Sequence, residues 1–198
     1  PASAAPRRLF LPQFGINAAS TLRALIPFNL LIGLQTVLDL SIFVGGAALP
    51  EGMTYAAYAH RGAYPLLATA LLAGAFAMLA RPYLAEHRLI RPLMLLWLGQ
   101  NVALGLSALL RLDLYVGVYG LTYLRVRAMI WIGLVIAGLV LLIWQTVRGQ
   151  SNAWALRRIL GIGVVTLYAC TFINFAGVIA AHNLRQHDMD ERYFCILG

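Results

Sequence analysis

One acidic side chain lies deep inside an apolar stretch of this chain: Asp39, in LQTVLDLSIFVGG. Gln35 precedes it by one helical turn and Asn29 stands further back; Gln100 and Asn101 fall midway along a later apolar stretch, which Arg111 closes, and Asn174 falls midway along the last. A carboxylate surrounded by hydrocarbon must be protonated, paired with a cation or reached by water. Gln35, Asp39, Gln100, Asn101, Arg111 and Asn174 therefore form a candidate polar cluster, suited to ion pairing, proton holding or contact with a polar ligand. The competing reading is structural: interhelical hydrogen bonds and an Asp39–Arg111 pair that fix helix register, each contributing about 1 kcal/mol or less. With no second carboxylate or histidine beside Asp39, both readings stand.

A second set of polar residues flanks the apolar stretches. His60 and Arg61 follow a tyrosine-rich segment, TYAAYAHRG, where His60 is a candidate ligand, proton acceptor or amphipathic interfacial residue. RLDLYVGVYGLTYLRVR contributes Asp113, Tyr119, Thr122 and Arg125. Arg125 and Arg127, two positions apart, would leave a helix in different directions. Arg125 is expected to face inward, toward Asp113 or Asp39, while Arg127 extends to the interface; the alternative is that both extend to the interface. Catalytic signatures are missing: no Gly-rich phosphate loop, no nucleophile elbow, no HExxH, no carboxylates paired at catalytic spacing. Cys170 and Cys195 form no CxxC, and the spacing of His182, His187, Asp188 and Asp190 follows no helical face. This reading assigns no catalytic residue, no metal and no cofactor.

The elements that must position these residues follow from composition. With 198 residues, 61% hydrophobic and 11% charged, and a mean hydropathy of +0.78, the chain lies outside the range of water-soluble domains. Five apolar runs account for most of it: Ala24–Leu49, Ala63–Ala80, Pro92–Leu110, Ala128–Val147 and Ile159–Ala181. Each is long enough to cross hydrocarbon, which takes about 20 residues. The expected fold is all-α: a polytopic transmembrane bundle of five spans over 23–183, between an N-terminal tail or linker over 1–22 and a C-terminal tail over 184–198. A short interfacial helix capped by Thr54 is expected before the second span. The third helix is expected to run on past Arg111, turn at Gly117–Gly120 and lead into the fourth with Thr122 as cap; a re-entrant segment is the alternative. Trp97, Trp131, Trp144 and Trp154 read as interfacial belt residues. Ala70/Gly74, Gly133/Ala137 and Gly177/Ala181 are pairs small enough for close helix packing.

The net charge of +8 is carried by arginine alone, placed in ones and twos at the ends of the runs. That spacing suits membrane anchoring and argues against a nucleic-acid surface, which needs basic residues clustered on one face. Arg7, Arg8, Arg23, Arg81, Arg88, Arg91, Arg148, Arg157 and Arg158 fall on one side of the threading; Arg61, Arg111, Arg125, Arg127, Arg185 and Arg192 fall on the other. The positive-inside rule then puts the N-terminus in the cytoplasm and the C-terminus outside.

The stretches TYAAYAHRGAYPLLATALLAGAF, QN with ALLRLDLYVGVYGLTYLR, SNAW and INFAGVIAAHN resemble the C-terminal part of a bacterial integral-membrane family, domain of unknown function 4153, related to 4173. The resemblance implies a bacterial inner membrane, longer chains with further upstream spans, and a signature including His60-Arg61, Arg111, Tyr119 to Thr122 and Arg125. It implies no activity. Pro1 and the terminal ILG accordingly read as the edges of a longer chain. The functional expectation is a non-catalytic membrane module, an accessory subunit, sensor or regulator with lipid and membrane-protein partners. The alternative is a transporter or ligand-handling protein with an outward-facing polar cavity around Asp39 and Arg111.

Overall fold

In the computed structural model the described backbone covers residues 17–45 and 55–186, and the described side chains residues 17–38 and 68–185. Its helices are α1 (Ala18–Gly45), α2 (Tyr55–Ala80), a 3₁₀ turn (Arg81–Ala85), α3 (Ile90–Tyr119), α4 (Tyr123–Arg148), α5 (Asn152–Phe172) and α6 (Phe175–Gln186). Five of them carry stretches long and apolar enough to cross a membrane, and no strand occurs among the described residues.

Most helices start before their apolar runs, and at α1 and α5 a side-chain cap marks the start. α1 starts six residues before Ala24, at a reciprocal cap in which the Ser20 amide donates to Asn17 Oδ1 and the Asn17 amide to Ser20 Oγ, both at 2.8 Å. Pro27, which the apolar run places in the first turn, consequently sits well inside α1. The segment expected to form a separate interfacial helix is helical from Tyr55, but it continues through Gly62 into the second span as one helix. α3 runs to Tyr119 and the chain turns at Gly120, as the helical reading of this connection expects. Thr122 occupies the N-cap position of α4 in extended conformation; its side chain makes no capping bond.

The fifth run differs most. Expected as one helix over 159–181, it is α5 up to Phe172, a break at Ile173-Asn174, and α6 from Phe175. Asn174 causes the restart: its Oδ1 accepts from the Gly177 amide at 3.0 Å, the geometry of an N-cap.

α3 is the centre of the bundle, packed against α1, α2 and α4, while α5 lies along α4. Of the apolar stretch in α3, 28% is buried within the chain, against 6% in α5. α2 offers the core a file of alanines, Ala70, Ala73, Ala77 and Ala80, against Met94, Leu98, Leu139 and Leu142. Three aromatic rings join three helices: Phe28 of α1 stacks on Trp97 of α3 (5.3 Å between centroids), and Phe76 of α2 meets both edge-on (5.9 and 5.4 Å). Trp97 is thus a core residue, 4% exposed, rather than part of an interfacial belt; each such ring pair contributes about 0.5–1.5 kcal/mol beyond area burial. Trp131 and Trp144 remain exposed.

Among the described glycines the least room for a side chain is at Gly105 of α3, where an added Cβ would come within 2.8 Å of Ile136 Cγ1 on α4. Gly133 of α4 has open space at the same test. Gly105→Val is expected to lower stability by roughly 1–3 kcal/mol through overpacking, with Gly133→Val costing markedly less; thermal unfolding of the two variants in the same detergent checks the difference.

Candidate functional site

The polar residues fall into three groups. The first lies along the α1–α3 seam. Asn29 is buried and donates through Nδ2 to Leu25 O of its own helix (2.8 Å) and to Leu93 O of α3 (3.1 Å). Asn101, also buried, donates to Trp97 O one turn back at 2.8 Å. Gln100 is half-buried and reaches α1 at Gly33, whose missing Cβ would stand 3.3 Å from Gln100 Nε2. Further along α3, half-buried Arg111 donates through Nη2 to Ser107 Oγ at 3.2 Å. Among the described residues, several buried atoms here find no hydrogen-bond partner: Asn29 Oδ1, Gln100 Oε1, Trp97 Nε1 and, nearer the start of α1, Thr21 Oγ1. An orphaned polar atom away from water costs about 1–3 kcal/mol, so this seam is chemically under-satisfied.

Of the expected cluster, Gln100 and Asn101 therefore belong to this seam and Arg111 to the same helix. Gln35 is exposed on α1. Asn174 is exposed as well and serves as the cap of α6. Asp39 lies on α1 and His60 and Arg61 lie on α2, but their side chains are outside the described residues.

The second group closes the turn between α3 and α4. Gly120 has φ 74° and ψ 173°, a backbone conformation open to glycine but not to side-chain-bearing residues. Asn183 of α6 clamps the next residue from both sides: its Oδ1 accepts from the Leu121 amide at 2.6 Å and its Nδ2 donates to Leu121 O at 3.0 Å. Arg125 donates to Tyr119 O (2.8 Å) and to Gly120 O, and its guanidinium lies over the Tyr115 ring, 4.2 Å from the centroid. Arg125 is half-buried and Arg127 exposed. The inward target is the carbonyl end of α3, where the partial negative charge of a helix terminus concentrates; Asp113 is exposed. Nearby, His182 Nε2 is buried without a hydrogen-bond partner.

The third group ties the opposite end. Arg81 donates to Gln150 O (2.8 Å) and Gly149 O (3.0 Å), and Arg91 to Val147 O (2.8 Å), so both arginines cap the carbonyl terminus of α4. Buried Gln145 donates to Asn152 Oδ1 (2.7 Å), and Asn152 donates to Met78 O of α2 (2.9 Å). Ser151 Oγ accepts from the Trp154 amide at 3.1 Å and starts α5.

Asn183, Gln145 and Asn152 were not among the candidates. Asn183 lies 62 positions from Leu121, and no local pattern announces a clamp over such a separation. A signal existed for the other pair: glutamine near the end of an apolar helix, followed seven residues on by asparagine after the Gly149 turn.

These contacts define a class, a polytopic membrane helix bundle whose polar side chains fasten helix ends and helix seams. Within it, the chain belongs to the family described as Domain of unknown function (DUF4153), whose profile matches residues 2–198. No curated protein and no solved structure matches.

Asn183→Ala is expected to lower stability by roughly 1–3 kcal/mol by leaving the Leu121 amide and carbonyl unpaired. Gly120→Ala should cost a similar amount, since its Cβ would meet Asn183 Oδ1 at 3.1 Å on a strained backbone. Both damage one contact, so the double variant should lose less than the sum; a double-mutant cycle on thermal unfolding checks it.

Proposed function

We propose that this chain is a non-catalytic membrane module, an accessory subunit, sensor or regulator held within a larger membrane assembly. The observation that carries this reading is how its polar side chains are used. Asn29, Arg81, Arg91, Asn101, Arg125, Asn152 and Asn183 all donate to main-chain carbonyls of the chain itself. Groups tied in this way are fasteners, and a fastener holds a fold rather than a substrate. The outward faces of α4 and α5 add support: Val140, Leu160, Val164, Leu167 and Phe172 are all exposed, a surface suited to lipid and to neighbouring membrane helices.

The same reading seats the module in a bacterial inner membrane with its N-terminus cytoplasmic. The end carrying Arg81, Arg88, Arg91, Arg148, Arg157 and Arg158 faces the cytoplasm, supported by the arginine balance of the whole chain.

A second reading, ligand handling from a polar cavity on the outer side around Asp39 and Arg111, is favoured by one observation. The α1–α3 seam holds unpartnered acceptors at Asn29 Oδ1 and Gln100 Oε1, on the helices that also carry Asp39 and Arg111. The two readings differ in what Asp39→Asn does. In the module reading Asp39 sets helix register, and the variant loses thermal stability and dissociates from its assembly on native gels. A variant that folds and assembles normally while losing the cellular phenotype of the chain would favour ligand handling instead.

A further inference from the structure

One face of α5 touches the core only at its start, where Trp154 packs against it, and Arg157, Arg158, Gly161, Ile162 and Val165 beyond lie exposed. Trp154, Arg157, Arg158, Gly161, Ile162 and Val165 recur at helical spacing and line an open depression of about 750 Å³ that extends to Thr166. The stripe is ordered by chemistry. Its head, two turns from the start of α5, carries two guanidinium groups beside an indole; its tail is apolar. Gly161 presents bare backbone on this face, with open space where a Cβ would stand.

The arginines at the head differ from others at the same end of the bundle. Arg81 is committed to the Gly149 and Gln150 carbonyls just past α4 and Arg91 to the Val147 carbonyl of α4, and Arg148 lies over the Trp144 ring at 4.7 Å. Arg157 uses only Nε, on Ala153 O of its own helix at 3.2 Å, and Arg158 stands 5.8 Å from the Trp154 centroid, near the outer limit of a cation–π contact. Both are exposed, and neither pairs with a carboxylate among the described residues. Two adjacent cations with free Nη groups at a membrane boundary attract a doubly coordinating anion, and phosphate oxygens match guanidinium forks. From Trp154 to Val165 the helix rises about 16 Å at 1.5 Å per residue, close to the depth of one leaflet of a hydrocarbon core about 30 Å thick.

We propose that this face of α5 binds one anionic phospholipid, with its phosphate held by Arg157 and Arg158, the head alcohol beyond the phosphate against Trp154, and the glycerol and an acyl chain laid along Gly161, Ile162 and Val165. Charge complementarity selects the occupant. A phosphatidylglycerol-type head brings net negative charge to the arginine pair, whereas a phosphocholine head brings an ammonium that the pair repels. The length of the apolar tail selects a lipid over a soluble phosphate ester.

Native mass spectrometry of the full chain in detergent, titrated with palmitoyl-oleoyl phosphatidylglycerol or the matching phosphatidylcholine, tests this. The expected result is one retained phosphatidylglycerol, bound roughly tenfold more weakly in Arg157→Gln/Arg158→Gln, given the usual contribution of basic residues to anionic-lipid binding. Arg88→Gln/Arg148→Gln, with the same loss of charge, should leave that binding unchanged. Gly161→Leu, which keeps every charge, should weaken it by covering the bare backbone on which the acyl chain lies, and it decides the matter if the double arginine variant does not fold. Equal retention of both lipids, equal loss in the two arginine pairs, or displacement of the lipid by glycerol phosphate overturns the proposal. So does a change in oligomeric mass, in place of lipid occupancy, in Arg157→Gln/Arg158→Gln, because the face would then be a protein contact.

Discussion

Main-chain groups at the ends of a helix have no partner within that helix, and this lack governs most of the polar contacts described in this bundle. A helix in water can leave its last carbonyls to the solvent. Here the carbonyl end of α4 is taken up by Arg81 and Arg91, and the carbonyl end of α3 by Arg125. The restart of the chain at α6 is taken up by Asn174, and the exposed peptide of the α3–α4 turn by Asn183. The same demand explains why asparagine outnumbers serine as the connecting residue between helices. A carboxamide donates and accepts at once and can satisfy both halves of a peptide group without carrying charge.

The architecture was legible in the sequence because it rests on length and hydropathy, and both are local quantities. Five apolar runs yielded five long helices, and the turn at Gly120 followed from a glycine placed between two helical patterns. What misled was equally local. Hydropathy put the start of α1 at Ala24, whereas the Asn17–Ser20 cap starts it at Ala18. An uninterrupted apolar run concealed the break at Asn174, whose side chain competes with the helix for a backbone amide. Trp97 looked like a belt residue by position, yet its ring is enclosed by Phe28 and Phe76. The polar cluster was legible only in part. Gln100 approaches α1 at Gly33 and Asn101 bonds the Trp97 carbonyl of its own helix, whereas Asn183, a principal clamp, is tied to its partner by tertiary structure alone.

The distribution of strength is uneven. α3 is gripped on three sides by α1, α2 and α4 and carries the aromatic triad, while α5 touches the rest chiefly through α4 and the Asn152 contact. A bundle built in this way has a rigid centre and a lightly held flank. That flank also carries Arg157 and Arg158, whose contacts stay within α5 itself, so a part of the chain lightly committed to the rest of the fold is open to its surroundings.

The clamp on Leu121 also has a temporal meaning. A ribosome adds about 5–20 residues per second, so the 62 residues separating Leu121 from Asn183 correspond to about 3–12 seconds of synthesis. During that interval the turn between α3 and α4 is already threaded but its peptide is unsatisfied. The nascent chain must shelter it in headgroup water or in the insertion machinery until α6 arrives, which makes the last described helix the latch that completes a corner formed much earlier.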